Sequence, residues 1–165
     1  MPVSPKFSIR AFTPADAPAM CSLHTRAIMQ ISEKFYSQAL RESWAHGLTP
    51  QGYVDASNRD ETYEVAVAYG KVIAFCGRTE DTVKGLYVDP DWQGRGIGQE
   101  LLARAQTILR SEGRTMIVME SSLSAEAFYL SCGFRKVSEE VRTSRGGLIM
   151  GACMMRKELG DDKRG

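Results

Sequence analysis

An α/β fold (α+β in some schemes), a mixed sheet covered by helices on both faces, is predicted by three features of this 165-residue sequence. Segments alternating apolar with polar residues share the chain with segments of three-to-four spacing, in the order strand, three helices, three strands, helix, strand, helix, two strands. A tight turn at Gly70-Lys71 folds two of the strands into a hairpin. A glycine-rich stretch, Gln93 to Gln99, joins an apolar strand directly to an amphipathic helix.

Taken in order, Phe7 and Ile9 alternate with polar neighbours as a short first strand. Thr13, Pro14 and Asp16 then supply an N-cap, an N1 proline and an acidic N3. The helix they start carries Ala17, Met20, Leu23, Ala27, Ile28 and Ile31 on one face and ends near residue 30. A second helix, from about Ser37 to Ala45, stops before Gly47, and Thr49-Pro50 caps a third through about Ala56.

Tyr63, Val65, Val67 and Tyr69 next alternate with Thr62, Glu64, Ala66 and Ala68, and the turn leads into a strand over 72–76. Thr82 to Val88 is a further strand. Ile97, Leu101, Leu102, Ala105, Ile108 and Leu109 mark a helix closed by Gly113, and Arg114 to Glu120 returns as a strand. Ser124 to Cys132 reads as a short helix ended by Gly133. Phe134–Val141 and Leu148–Arg156 are two closing strands around Arg145-Gly146-Gly147. With no repeat or linker, residues 1–160 form one domain and 161–165 a charged, frayed tail.

Composition narrows the function. The net charge is +1 with basic residues scattered, so nucleic acid is not an expected partner. No apolar run approaches the roughly 18 residues of a membrane span, and the start lacks the apolar stretch of a signal peptide, so no membrane association and a cytoplasmic location are expected. The four cysteines, at 21, 76, 132 and 153, lie far apart without any Cys-x-x-Cys pair and are expected as reduced core residues. His24 and His46 have no ligand spacing, so no metal is expected; each reads as a partly exposed helix or cap residue.

The glycine stretch carries the chemistry. Gly94, Gly96 and Gly98 remove Cβ atoms where a helix begins, so backbone N–H groups can converge on one anion. A dinucleotide loop would need glycine at position 99, which is Gln99, and no Gly-Lys-Ser or Gly-Lys-Thr closes a triphosphate loop. Gln93-Gly94-Arg95-Gly96-Ile97-Gly98 instead resembles the acetyl-CoA loop of the GNAT acyltransferase superfamily. Downstream, Ser122, Ala125, Phe128, Tyr129, Gly133 and Phe134 are similar to that superfamily's Asn-x-x-Ala-x-x-Phe-Tyr-x-x-x-Gly-Phe segment, with Ser122 in place of Asn. The likeness is specific over residues 62–137.

The resemblance implies a mostly antiparallel sheet of six or seven strands, with a splay between two central parallel strands. It implies acetyl-CoA as co-substrate, its pantetheine arm along the backbone of Leu86, Tyr87 and Val88 and its pyrophosphate on Gln93 to Gln99. Ser122, Ala125, Phe128 and Tyr129 are further implied contacts, Ser122 with a weaker grip than Asn. The Val88 N–H would polarise the thioester carbonyl and Tyr129 would be the general acid. Arg95 is either a phosphate contact or a solvated basic residue, and Asp89 and Asp91 read as turn residues. Glu120, at the end of an apolar strand, is the leading general base, against the alternative of an exposed strand-end carboxylate. A homodimer through the C-terminal strands is compatible with the resemblance but not required.

Trp44, Tyr36, Phe35 and Tyr53 place aromatic surface in the segment expected to wall an acceptor pocket, though aromatics in short helices usually pack inward. A small amine, an amino-acid derivative and a peptide N-terminus all remain open as acceptors. The expected activity is N-acetylation of a primary amine by direct attack in a ternary complex, since no cysteine has a paired histidine in a nucleophile motif. The alternatives are a non-catalytic acyl-CoA sensor and transfer of a longer acyl group.

Overall fold

A computed structural model describes residues 6–160; the expected tail at 161–165 lies outside the described residues. Seven strands form one sheet in the order β1-β2-β3-β4-β5-β7-β6. They are β1 (Ser8–Ala11), β2 (Thr62–Ala68), β3 (Lys71–Thr79), β4 (Thr82–Val88), β5 (Met116–Ser122), β6 (Arg135–Thr143) and β7 (Ile149–Glu158). All neighbours are antiparallel except β4 and β5.

The helices are α1 (Ala17–Met29), α2 (Gln38–Ala45), α3 (Pro50–Arg59), α4 (Ile97–Ser111) and α5 (Glu126–Ser131). Ile97, Leu101, Leu102, Ala105 and Leu109 of α4 pack on one face of the sheet with Ala66, Ile73, Ile117 and Met119. Ala17, Met20 and Leu23 of α1 and Tyr53 and Ala56 of α3 cover the other face with Val65 and Phe75. Hydrophobic residues on both sides of β2 and β3 thus find partners, which is why these strands read as nearly continuous apolar runs.

The caps act as their residues dictate. Ser37 Oγ accepts from Leu40 N at 3.2 Å, and Thr49 Oγ1 accepts from Gly52 N at 3.2 Å. Asp16 accepts from Thr13 N at 2.8 Å and also binds Arg10, so the chain first makes a 3-10 turn at Pro14–Asp16 before α1 begins.

Three expectations are corrected. The hairpin turn is Tyr69-Gly70 rather than Gly70-Lys71: both central residues have positive φ, 52° and 72°, as a two-residue primed turn requires. A register shift after Ala66 moves Tyr69 out of the strand, and it is 83% exposed. The strand expected from Arg114 to Glu120 starts and ends two residues later, so Glu120 lies within β5 and Ser122 ends it. His24 is buried, because the face of α1 that carries it lies under α3 and the sheet.

One buried ion pair bears on stability alone. Glu64 of β2 and Arg78 of β3 meet at 2.5 Å with both side chains enclosed. Glu64→Ala strands a buried guanidinium and is expected to cost about 3–5 kcal/mol, whereas joint replacement by Glu64→Leu and Arg78→Leu restores most of that loss. Urea denaturation of the two variants checks this; a single-variant loss under about 1 kcal/mol would contradict it.

Candidate active site

Backbone hydrogen bonding creates the site. The parallel ladder of β4 and β5 covers only Thr82↔Val118 and Val83↔Met119. Beyond it β4 stays on β3 as far as Ala74↔Val88, while β5 stays on β7 as far as Ser122↔Ala152. The strands part after Val83, ahead of Leu86–Val88. The N–H of Asp89 donates to Ile73 O at 2.8 Å, toward β3. Because successive residues of a strand address opposite edges, Val88 and Leu86 turn their N–H and C=O groups to the parted side. Gln93 Nε2, which reaches Val88 O at 3.4 Å, approaches from that side.

The glycine loop follows at once. Gly94 and Gly96 have φ of 78° and 79°, a conformation that a side chain would strain, and Gly96 is the N-cap of α4. Among the described residues, no backbone N–H from Gln93 to Gln99 finds a protein acceptor; the first satisfied one is Glu100, bonded to Gly96 O at 3.1 Å. A run of free N–H groups at a helix N-terminus is a seat for an anion. Arg95 instead lies over the Trp92 ring, its guanidinium 4.7 Å from the centroid.

Asp89 anchors this loop to the body. Its carboxylate, 1% exposed, accepts from Arg26 at 2.6 and 3.0 Å and from Asp91 N at 2.9 Å. The turn role expected of Asp89 is present, and the tie to α1 is an addition that only the fold reveals. Asp91 is far more exposed and lies 3.9 Å from Arg26.

Two cavities meet at the parting. The smaller, about 590 Å³, is lined by Leu86, Val88, Gln93, Gly94, Gly96, Ile97, Gly98, Gln99, Ala125, Phe128 and Tyr129, eleven of the residues singled out for the cofactor. The larger, about 660 Å³, contains Glu120, Ser122 and Tyr87 and shares Leu86, Ala125 and Tyr129 with the first. Tyr129 therefore stands at the junction. It is 3% exposed, packed against Phe128 and Phe134, and burial followed by the proximity of Cys76 raises its phenol well above the ordinary value.

Other expected residues take definite places. Glu120, 21% exposed, binds Lys84 and Arg142, each at 3.1 Å, rather than projecting as a free strand-end carboxylate. Ser122 Oγ pairs with Ser124 Oγ at 2.8 Å. Tyr36 donates to Gly151 O at 2.6 Å and accepts from Leu123 N at 2.8 Å, tying the end of β5 to the loop after α1. Trp44 and Tyr53 line the larger cavity, while Phe35 does not, and His46 is exposed. Burial pushes the Cys76 thiol up to about 12 and raises Cys21 and Cys153, opposite to what a nucleophilic thiolate requires.

Motif reading missed Glu61, which lines the larger cavity with its carboxyl raised by burial, and Arg145, which lines it from the β6–β7 hairpin. Neither belongs to a spacing pattern; the one available signal for Glu61 was a carboxylate placed immediately before an apolar strand. Among the described residues, no group of three or more His, Cys, Asp or Glu is arranged to hold a metal ion, and no helix is long and apolar enough to cross a membrane.

A mixed sheet split at its single parallel pair, with a loop of free N–H groups and an open strand edge on one side of the split, is the arrangement that the resemblance to acyltransferases implies. Residues 59–136 match the acetyltransferase (GNAT) domain family. The N-acetyltransferase YafP of Escherichia coli is 25% identical over 138 residues, covering 84% of this chain and 87% of that protein. A GCN5-related N-acetyltransferase from Rhodopseudomonas palustris superposes with a TM-score of 0.86 at 22% identity, over 95% of this chain and 97% of the other. PaiA N-acetyltransferase from Thermoplasma acidophilum, in complex with coenzyme A, superposes at 0.73 with 20% identity, over 93% and 99%. The chain shares the fold of GNAT acetyltransferases and resembles that superfamily in sequence over residues 59–136.

The Arg26–Asp89 pair makes the loop's anchorage pH-dependent. The Arg26 hydrogen bonds hold the Asp89 carboxyl below the usual carboxylate range. A depressed folded-state pKa contributes stability above the unfolded value, about 3.9, and that contribution is lost as pH falls through the folded value. Asp89→Asn is expected to cost about 2 kcal/mol at pH 7, discounted because Arg26 is 42% exposed, and to match the native chain in strong acid. Urea melts at pH 7 and about pH 2.5 read the difference; a gap unchanged in acid would refute it.

Proposed function

We propose that this chain transfers the acetyl group of acetyl-CoA to a primary amine of a small molecule or peptide, by direct attack in a ternary complex. The observation that carries this reading is the junction of the two cavities at Tyr129, beside the free edge of Leu86 and Val88. The free N–H groups of Gln93–Gln99 suit the cofactor pyrophosphate, and the free edge of β4 suits the amide groups of its pantetheine arm, as an added strand would. This arrangement directs the thioester toward Tyr129 and leaves the larger cavity for the acceptor.

The Val88 N–H then donates to the thioester oxygen as it gains negative charge. An amine entering from the larger cavity as an ammonium loses one proton to Glu120 and attacks the carbonyl carbon. The C–N bond forms, the tetrahedral intermediate collapses, the C–S bond breaks, the thiolate takes a proton from Tyr129, and the second proton released by the nitrogen restores the Tyr129 phenol. Both Glu120 oxygens are held by cations, so a water relays the proton to it. Glu61 is a second candidate base, favoured by the burial that raises its carboxyl. Thiol groups made less acidic by burial agree with direct attack rather than an acetyl-cysteine intermediate.

Thermal unfolding with and without acetyl-CoA tests the cofactor, since ligand at 100 times its Kd adds about 2.7 kcal/mol; absence of any shift would overturn the reading. Tyr129→Phe is expected to keep that shift and lower kcat about 100-fold, while a non-catalytic sensor would lose nothing. The raised phenol stays protonated through the working range, so the native rate should show no alkaline decline from Tyr129 below pH 10. Glu120→Gln is expected to lower kcat/KM by about 100-fold; a loss confined to Glu61→Gln would move the base to Glu61.

A further inference from the structure

Four basic side chains line the larger cavity: Arg59, Lys84, Arg142 and Arg145. Lys84 and Arg142 are both bound to Glu120. Arg59 forms no ion pair among the described residues but is followed in the chain by two carboxylates of the same cavity, Asp60 and Glu61, and its charge acts on Glu61. Arg145 likewise forms no ion pair among the described residues and has no carboxylate beside it in the chain; its guanidinium donates through Nη1 to the carbonyl of Trp44, leaving its other N–H groups available.

The placement of Arg145 is built into the fold. The tip of the β6–β7 hairpin docks on the end of α2: Gly146 N donates to Ser43 O at 2.8 Å, Ser43 and Ser144 share a hydroxyl hydrogen bond of 2.5 Å, and Leu148 N donates to Ser144 Oγ at 2.9 Å. A Cβ on Gly146 would lie 2.4 Å from Ser43 Oγ and 3.0 Å from Ser43 backbone atoms, so glycine alone permits this approach. The hairpin thus carries a cation to the cavity wall and fixes it there.

That wall is aromatic. The rings of His24 and Tyr87 lie 3.9 Å apart at a tilt of 38°, Tyr53 and Phe75 meet at 5.7 Å, and Trp44 lies 6.5 Å from Tyr87. His24, 5% exposed, accepts or donates one hydrogen bond of 2.8 Å with Tyr53, and its Nε2 has no partner among the described residues. Burial, with the nearby Arg145 charge second, pushes His24 down to about 3, so the imidazole is neutral and is not a competing cation or a carboxylate partner for Arg145. An exposed guanidinium with no counter-ion among the described residues, set beside an aromatic wall, favours a ligand that brings a carboxylate and an apolar body together. A polycationic amine would meet repulsion at the same place.

We propose that the acceptor is an amino acid with a free α-carboxylate and an apolar or aromatic side chain, its carboxylate bound by Arg145 and its side chain laid on the His24–Tyr87 wall. This rests on the acetyltransferase reading and narrows its acceptor.

The test is thiol release from acetyl-CoA with L-phenylalanine and L-methionine, their amides, and 2-phenylethylamine. The native chain is expected to prefer the acids over the amides by about 30-fold in kcat/KM, the scale of one charge-assisted hydrogen-bonded contact. Arg145→Ala removes the preference by raising KM with little change in kcat, Arg145→Lys recovers part of it, and Arg145→Glu reverses it. Stabilisation by acetyl-CoA is unchanged in all three. Equal use of acids and amides by the native chain, or an unaltered preference in Arg145→Ala, overturns the proposal. If no amine releases thiol, the acetyltransferase reading fails, and calorimetric titration of L-phenylalanine and its amide into the CoA-loaded protein decides this one separately: equal affinity overturns it, and an Arg145-dependent preference for the acid upholds it.

Discussion

Everything functional in this molecule depends on two strands that begin a parallel ladder and do not finish it. After Val83 and Met119, β4 remains hydrogen-bonded to β3 and β5 to β7, and the polar edges between them are left without each other. An unpaired strand edge in the middle of a sheet is costly unless water or a ligand satisfies it. Here the edge lies at the mouth of two cavities, where its unmet hydrogen-bonding groups suit the extended, amide-containing cofactor arm of the proposed function. The flanking β2–β3 hairpin and β6–β7 pair keep the two halves rigid, since their ladders and the apolar faces of α1 and α4 hold them irrespective of the gap.

The glycine loop and its anchor extend the same logic. Gly94 and Gly96 turn the chain so sharply that the first turn of α4 presents its N–H groups at the end of the open edge. The loop would have little to position it without Asp89, whose enclosed carboxylate ties it to α1 through Arg26 and closes its first turn through Asp91 N. The loop is thereby tied to α1, a helix on the opposite face of the sheet from α4. Tyr129, held between Phe128 and Phe134 by the short α5, faces the junction of the two cavities.

The acceptor side is assembled from distant parts of the chain. Aromatic rings from α1, α2, α3, β3 and β4 converge on one wall, and the β6–β7 hairpin adds Arg145 through its dock on Ser43. Glu120 sits between Lys84 and Arg142 on the same cavity. Such a mixture of rings and alternating charge suits a compact zwitterion better than a long polycation, on physical grounds alone.

The glycine loop was legible in the sequence because its structure is local. A strand, a glycine loop and a helix N-terminus occupy consecutive residues and leave a run of backbone N–H groups free, so Gln93 to Gln99 and the Ser122–Phe134 segment could be singled out directly. Periodicity likewise marked α1, α4 and the β2–β3 hairpin, with errors where a local choice was close: a register shift moved the turn to Tyr69-Gly70, and β5 slid by two residues. His24 was misjudged because amphipathic spacing ranks a histidine as polar, while the packing of α3 over α1 encloses it. Arg145 read as a turn residue, and Glu61 as nothing, because what distinguishes them is whether an opposite charge or an apolar wall lies nearby. The sequence by itself determined the resemblance to the GNAT superfamily, the element order and the glycine loop, all of which rest on neighbouring residues. Only the tertiary structure decided the parting of β4 from β5, the enclosure of His24 and the absence of an ion pair at Arg145 among the described residues, because burial and charge pairing depend on distances between residues remote in the chain.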